Sequence, residues 1–214
     1  MELVATEEAR LVALMLAVRP AGPLPLLTLI NSIQDEFQFL SAPETTEDVS
    51  TDGLQFKNGS FDGVAIDSLS IHDDGIVIAS RSSTEFLDRV LDHIVKWGQN
   101  ECGFQLTKTH EIDKFYKSTV TIKTEKEILS ALKVLSDLRT SFEQALFKDS
   151  GIKAPYEPFG ISFACDHQQS LEKPSAFRIE RKQGTNFKLN YYICEAPLQT
   201  KSQLSLLSEL EKSC

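Results

Sequence analysis

The chain has 214 residues, of which 41% are hydrophobic and 25% charged, and its formal net charge at pH 7 is −9. This composition is typical of a folded globular protein and excludes disordered, collagen-like and disulfide-scaffold classes. The acidic excess lies in residues 1–100, which carry 6 basic and 16 acidic side chains, whereas residues 101–214 carry 16 and 15. Because phosphate backbones bind through clusters of Lys and Arg, the acidic half is not expected to bind nucleic acid.

Cysteine usage and the N-terminal sequence indicate a cytoplasmic protein. The cysteines show no C-x-x-C spacing, and Glu2, Glu7 and Glu8 stand where a secretory signal would carry basic residues. The apolar stretch over residues 11–30 contains Arg19 and three prolines, whereas a membrane span needs about 20 largely uninterrupted apolar residues. We therefore expect a reducing compartment and no membrane partner.

The first forty residues predict an N-terminal helical hairpin. Thr6 is a plausible N-cap, and the acidic residues after it suit the positive end of a helix dipole. Prolines 20, 23 and 25 end this helix near Arg19. Beyond them, apolar residues recur at helical spacing from Leu26 to Phe37, which predicts a second helix packed against the first.

From Leu54 the apolar period changes to two, which predicts antiparallel strands over residues 54–80. The pairs Asn58-Gly59 and Asp74-Gly75 predict tight turns, because both residues of such a turn must accept a positive φ. A helix follows, with the capping-box spacing of Ser82 and Glu85 and an apolar face that ends near Gly98.

The second half predicts a strand over residues 115–122, a helix over 124–147, three strands between 158 and 196, and a closing helix over 200–212. One apolar stripe runs along the longer helix: Ile128, Leu132, Leu135, Leu138, Phe142 and Leu146. Runs of strands followed by single helices indicate an α+β fold, with amphipathic helices packed on antiparallel sheets of hairpins. We expect subdomains at 1–100 and 101–214, either sharing one core or separable.

His72, Asp73 and Asp74 form the most polar turn of the chain and are the candidate metal ligands. Adjacent strand residues point to opposite faces, so at most His72 and Asp74 could converge on one ion. Asp and Gly are preferred in tight turns, so the pair Asp74-Gly75 needs no bound metal to explain it. The favoured interpretation is therefore a hairpin tip. No metal and no cofactor is therefore expected.

Cys165 and His167 are the candidate catalytic pair. Two residues apart in a strand, a thiol and an imidazole would lie on the same side of the sheet. The favoured interpretation is nonetheless an unreactive cysteine at the end of an apolar strand. The sequence contains no P-loop, no dinucleotide fingerprint and no G-x-S-x-G motif.

These observations favour a non-catalytic protein-interaction or assembly module, an adaptor or subunit of a cytoplasmic complex. The acidic loop over residues 41–53 would attract a basic partner at long range, and a second copy of the chain is the other candidate partner. The expected interaction residues are Glu44, Glu47, Asp48, Asp52 and Tyr192. An unrecognised hydrolase or transferase, using Cys165 with His167 or the hairpin-tip carboxylates, is the alternative.

Overall fold

The computed structural model describes residues 1–15, 18–20, 26–44, 53–101, 104–106, 112–166 and 174–214. Within these residues the chain forms ten β-strands and four α-helices. The strands are β1 (Glu2–Met15), β2 (Val18–Pro20), β3 (Leu54–Phe61), β4 (Val64–His72), β5 (Gly75–Ser80), β6 (Phe104–Leu106), β7 (Ile112–Lys123), β8 (Gly160–Phe163), β9 (Phe177–Arg181) and β10 (Tyr191–Ala196). The helices are α1 (Leu26–Glu36), α2 (Thr84–Glu101), α3 (Ser136–Ser150) and α4 (Thr200–Ser213).

Eight strands form one antiparallel sheet in the order β3-β4-β5-β1-β7-β10-β9-β8, and β2 pairs with β6. The predicted α+β class is therefore confirmed. By its contacts the chain divides into two compact units, each assembled from separate segments. The N-terminal unit is Thr6–Thr119 with Pro197–Gln203, and the C-terminal unit is Met1–Ala5, Val120–Ala196 and Leu204–Cys214. The subdomains predicted at residue 100 stay a prediction, because a division by contacts does not test independent folding.

The first element is the strand β1, so the predicted N-terminal helical hairpin is wrong. Ala9, Leu11, Ala13 and Met15 are buried and alternate with more exposed residues, which is the period of a strand. Leu11 pairs with Ile78 of β5. A continuous apolar run is compatible with either element, and this strand pairing outweighs the helix-start signals. The second predicted helix is present as α1.

β3, β4 and β5 form two successive hairpins in the N-terminal unit. The second hairpin has its tip where it was predicted, but His72 pairs with Gly75, so the turn residues are Asp73 and Asp74 and the predicted turn pair Asp74-Gly75 is wrong by one residue. The first turn falls at Asp62-Gly63, whose φ angles are 51° and 74°, so the turn predicted at Asn58-Gly59 is wrong. Gly59 instead permits a close approach, because a Cβ there would lie 2.5 Å from the Phe39 ring.

The core of the N-terminal unit packs the apolar face of α2 together with side chains from α1 and from β1, β3, β4 and β5. The Ser83 hydroxyl accepts a hydrogen bond from the Phe86 N–H at 3.2 Å, so the N-cap stands one residue beyond the predicted Ser82. The predicted apolar face is buried: Phe86, Leu87, Val90, Leu91 and Ile94. Burying each such side chain stabilises the fold by about 1.5–3 kcal/mol.

In the C-terminal unit, the predicted helix over residues 124–147 is divided into a 3₁₀ segment, Ile128–Leu135, and the helix α3. Ile128 and Leu129 are buried, whereas α3 contains no buried residue. The helix ends at Gly151, whose φ is 71° and whose N–H donates to the Phe147 carbonyl at 2.8 Å, as Ser150-Gly151 predicted.

The core of the C-terminal unit lies against β9 and β10, where Ile179 pairs with Cys194. Its buried members are Val120, Ile122, Ile128, Leu129, Ile179, Tyr192, Cys194 and Leu207. Strands β8, β9 and β10 and the closing helix α4 occur where the sequence predicted them. This core is small, and α3 contributes none of its members.

Candidate functional site

His72 and Asp74 lie at the tip of the β4–β5 hairpin, as expected for turn residues. The Asp74 carbonyl accepts a hydrogen bond from the Met15 N–H at 2.9 Å, which fixes the turn to β1. In the part of the chain that the structure describes, no three His, Cys, Asp or Glu side chains are grouped so as to hold a metal ion. A metal role for His72 and Asp74 therefore gains no support from geometry.

Cys165 is exposed just beyond β8, and its Sγ lies 3.8 Å from the Asp166 carbonyl oxygen. His167 lies outside the described residues. The base of the predicted catalytic pair is thus outside what the structure describes, although activation of a cysteine nucleophile requires a base or a nearby positive charge.

The densest group of charged and polar side chains surrounds Asp88 of α2, in the N-terminal unit. Its carboxylate accepts from Lys114 Nζ at 2.7 Å, from the Tyr116 hydroxyl at 3.0 Å and from Gln199 Nε2 at 3.3 Å. Lys114 and Tyr116 stand two apart on β7 and share one face of the strand. That spacing was visible in the sequence, but only tertiary packing brings α2 and Gln199 to it.

The ionisation of Lys114 and Tyr116 argues against a general-base role for either side chain. Burial acts to lower the pKa of Lys114, but the hydrogen bond and charge of Asp88 raise it above 10.5 overall. Burial, helped by Asp88, likewise raises the pKa of Tyr116 above 10.0. Both groups stay protonated near pH 7 and donate to the carboxylate, so neither serves as a general base. The arrangement fastens β7 to α2.

The predicted interaction residues have different positions in the structure. The structure describes Glu44, whose side chain or backbone interacts with another group of the chain. Glu47, Asp48 and Asp52 lie outside the described residues. Tyr192 is fully buried, so its prediction as a surface residue is corrected. Its neighbour Tyr191 is half-buried, because successive strand residues face opposite sides.

A large apolar surface is exposed along α3 and the segment that follows it. Seven side chains there are between 43 and 82% exposed: Val134, Leu135, Leu138, Phe142, Phe147, Ile152 and Tyr156. We call this set the α3 surface. The sequence predicted the apolar stripe but not that the described residues would leave so much of it uncovered.

A groove of about 710 Å³ opens within the α3 surface. Leu135, Leu138 and Phe142 line one side, and Tyr156 and Pro158 line the other. The Phe142 and Tyr156 rings meet edge to face, with centroids 4.8 Å apart. Four of the seven exposed apolar side chains, Leu135, Leu138, Phe142 and Tyr156, therefore line one concave site.

Polar contacts hold the two sides of the groove together. Arg139 pairs with Glu157 at 3.2 Å, and the Tyr156 N–H donates to the Glu143 carboxylate at 2.8 Å. Each contact joins α3 to the segment over residues 156–158. The groove is thus fixed by interactions of both of its sides.

Arg181 is buried and contacts residues that line the groove. The Arg181 guanidinium donates to the carbonyls of Pro158 at 2.9 Å and Phe187 at 3.1 Å, and it forms an ion pair with Glu127. It also lies 4.8 Å from the Phe187 ring centroid, a cation–π distance. Glu127 and Pro158 both line the groove, so Arg181 fixes them in position.

Comparison with known proteins leaves the site to be judged on its geometry. A scan against models of protein families finds no match, and a search of curated proteins finds no similar sequence. Among the described helices, none combines the length and the apolar character that a bilayer crossing demands. Among the described features, the α3 surface with its groove suits a binding partner.

Proposed function

We propose that this chain is a non-catalytic interaction or assembly module of a cytoplasmic complex, and that the α3 surface is its docking face. The observation that carries the proposal is that α3 has an apolar stripe and no buried residue. Among the described residues, Cys165 and Cys214 are free cysteines, which supports a reducing compartment.

An isolated α3 would be marginal in water. Helices shorter than roughly 12–15 residues gain most of their stability from packing an apolar face, and α3 has 15 residues. Leu138 and Phe142, one turn apart, are 67% and 48% exposed. A partner covering them would supply the packing that the described chain does not.

The α3 surface also has the composition of an interface. It combines aromatic and aliphatic side chains with an arginine, Arg139, whereas scattered single apolar residues would need no explanation. The four exposed side chains that line the groove are grouped, and monomeric proteins rarely expose large apolar patches unless these bind a partner. A basic partner attracted by the acidic first half remains part of the proposal and rests on the sequence.

Affinity capture with matched variants tests this proposal. The tagged chain is used as bait at low salt, in wild-type form and with Leu138→Asp, Phe142→Asp or Leu40→Asp. Leu40 is an exposed leucine of the N-terminal unit and serves as the control. We expect specific binding by the wild type and Leu40→Asp that both α3 variants lose. A wild-type chain that stays monomeric and retains no partner contradicts the proposal.

A further inference from the structure

We propose that the partner is recognised through an extended peptide segment, which adds to the free edge of β8 as a further strand and places apolar side chains in the groove. This inference rests on the proposed function and adds the form and chemistry of the partner. The observation that carries it is a row of backbone groups on β8 that no described strand pairs, next to the groove.

The two edges of the eight-stranded sheet differ. β3, at one edge, is covered by the segment over residues 37–41. Lys57 and Ser41 exchange backbone hydrogen bonds there at 2.9 and 3.2 Å, and the Leu40 N–H donates to the Asn58 carbonyl at 3.2 Å. β8 forms the other edge, and among the described residues only β9 pairs with it. An uncovered edge strand is a template for pairing with another chain.

The pairing with β9 identifies the backbone groups of β8 that face away from the sheet. The Arg181 N–H donates to the Phe159 carbonyl at 2.8 Å, and the same register continues along β8. Backbone groups of successive residues in an antiparallel strand point alternately to its two neighbours, so those of Ile161 also face β9. Those of Gly160 and Ser162 therefore face outward. Two N–H and two C=O groups stand on the free edge.

The free edge adjoins the groove. Gly160 lines the groove, and so do Leu129 and Leu132. Leu129 belongs to the core of the C-terminal unit, and Leu132 and Ile161 pack against that core, so Ile161 marks the core face of β8. Because side chains alternate along a strand, every second side chain of an added strand lies on this face, beside the groove. The groove, of about 710 Å³, can receive apolar side chains from it.

This arrangement suits the mode in which main-chain hydrogen bonds give affinity and pockets for alternate side chains give specificity. Charges on the other face of β9 add to the specificity. Exposed Glu180 lies opposite Gly160, and exposed Arg178 lies opposite Ser162. Across these small residues, the added strand is two strand spacings away, about 10 Å, within reach of long side chains. We expect Lys or Arg beside Gly160 and Asp or Glu beside Ser162.

Peptides selected against the immobilised wild-type chain, from a phage library of random segments of about twelve residues, test this proposal. We expect apolar residues at alternate positions and, for the labelled synthetic peptides, a dissociation constant below about 100 μM in fluorescence anisotropy. Ser162→Pro removes an N–H of the free edge and should weaken binding about tenfold or more. Ser162→Ala keeps that N–H and should match the wild type. Circular dichroism should show Ser162→Pro folded, because proline is tolerated at edge positions whose N–H faces away from the sheet.

N-methylation of the peptide tests the same hydrogen bonds with the protein unaltered. The amides of a peptide form two alternating sets, and only one set of an added strand faces β8. Methylation of that set should weaken binding about tenfold or more, whereas methylation of the other set should be tolerated. This measurement stands even if Ser162→Pro fails to fold.

Three results overturn strand addition. They are a selection that yields no binding peptide, equal binding by the wild type and a folded Ser162→Pro, and equal sensitivity to the two methylated sets. A wild-type dimer that Ser162→Pro dissociates in sedimentation equilibrium overturns the peptide in favour of a second copy. A partner that binds through Leu138 and Phe142, and equally well to Ser162→Pro, overturns this inference and leaves the proposed function intact.

Discussion

Thr84 and Thr200 cap each other across 116 residues of sequence. The Thr84 N–H donates to Thr200 Oγ1 at 3.1 Å, and the Thr200 N–H donates to Thr84 Oγ1 at 2.7 Å. Both residues are buried at the starts of α2 and α4, where backbone N–H groups lack helical partners. The Ser118 hydroxyl completes the group at 3.0 Å from Thr200 Oγ1.

Replacing the Thr200 hydroxyl by a methyl group, Thr200→Val, should lower the free energy of unfolding by about 1–3 kcal/mol. The change leaves the buried Thr84 N–H and the Ser118 hydroxyl without this acceptor. Urea denaturation should show this loss of stability as a lower midpoint of unfolding with an unchanged m-value. Thr140→Val, which removes an exposed hydroxyl bonded within α3, is the control and should cost less than about 0.5 kcal/mol. Equal effects of the two variants would refute the mutual cap.

Asp88→Asn should destabilise the N-terminal unit by about 1–3 kcal/mol, because Lys114 loses the charged acceptor at 2.7 Å. Loss of the Asp88 charge should also move the pKa of Tyr116 down towards 10.0, although burial still raises it. Urea denaturation and NMR titration of labelled tyrosine measure these two effects. Asp92→Asn is the matched control, since Asp92 is exposed and 4.0 Å from Lys114 Nζ. A pKa that stays unchanged in Asp88→Asn would show that the carboxylate does not act on Tyr116.

Burial raises the pKa of the Cys194 thiol to about 12. At pH 8 it should therefore react with iodoacetamide roughly a thousandfold more slowly than a thiol of ordinary pKa. Peptide mass spectrometry of the native chain should find Cys165 and Cys214, both exposed, alkylated and Cys194 intact until denaturant is added. Labelling of native Cys194 at the rate of Cys214 would contradict its burial. A Cys165 that reacts far faster than Cys214 would restore the enzyme hypothesis.

Glu211 links the N-terminal amine to the backbone of Glu125. Its carboxylate lies 2.6 Å from the Met1 amine and accepts from the Glu125 N–H at 2.7 Å. The hydrogen bond to Glu211 raises the pKa of the amine above 8.0. Burial opposes the shift of the Glu211 pKa, but the bonds from Met1 and Glu125 lower it below 4.5.

The stabilisation that comes from the ion pair of Met1 and Glu211 should be lost at both low and high pH. The contribution of Glu211 is complete above its unfolded pKa of 4.5 and is lost as the pH falls through the lower folded value. The contribution of the amine is complete below 8.0 and is lost as the pH rises through the higher folded value. Glu211→Gln should therefore lower the urea midpoint most between pH 4.5 and 8.0, with the difference narrowing outside that window. Glu209→Gln is the control, and a difference constant with pH would contradict this account.

Local patterns predicted the elements whose partners are close in sequence. The β4–β5 hairpin followed from Asp74-Gly75, and the face of α2 followed from its helical period. β1 was mistaken for a helix because its strand identity depends on pairs such as Leu11 with Ile78, which lie 67 residues apart. No local signal contains that pairing.

The sequence predicted only part of the candidate site, because local patterns do not contain long-range packing. The period of Leu135, Leu138 and Phe142 identified one apolar stripe, and the stripe exists. Periodicity describes the helix alone and does not say what covers it, so burial within the chain was assumed. Likewise, alternation placed one of Tyr191 and Tyr192 inside, but only the packing of the C-terminal core shows that the buried one is Tyr192.

The return of Pro197–Gln203 to the N-terminal unit has a consequence for synthesis on the ribosome. Domains usually fold as they emerge, the N-terminal one first. Ser83 can cap α2 at once, but the bond from the Thr84 N–H to Thr200 cannot form until more than a hundred further residues have been translated. The N-terminal unit is thus completed only after Pro197–Gln203 has been translated.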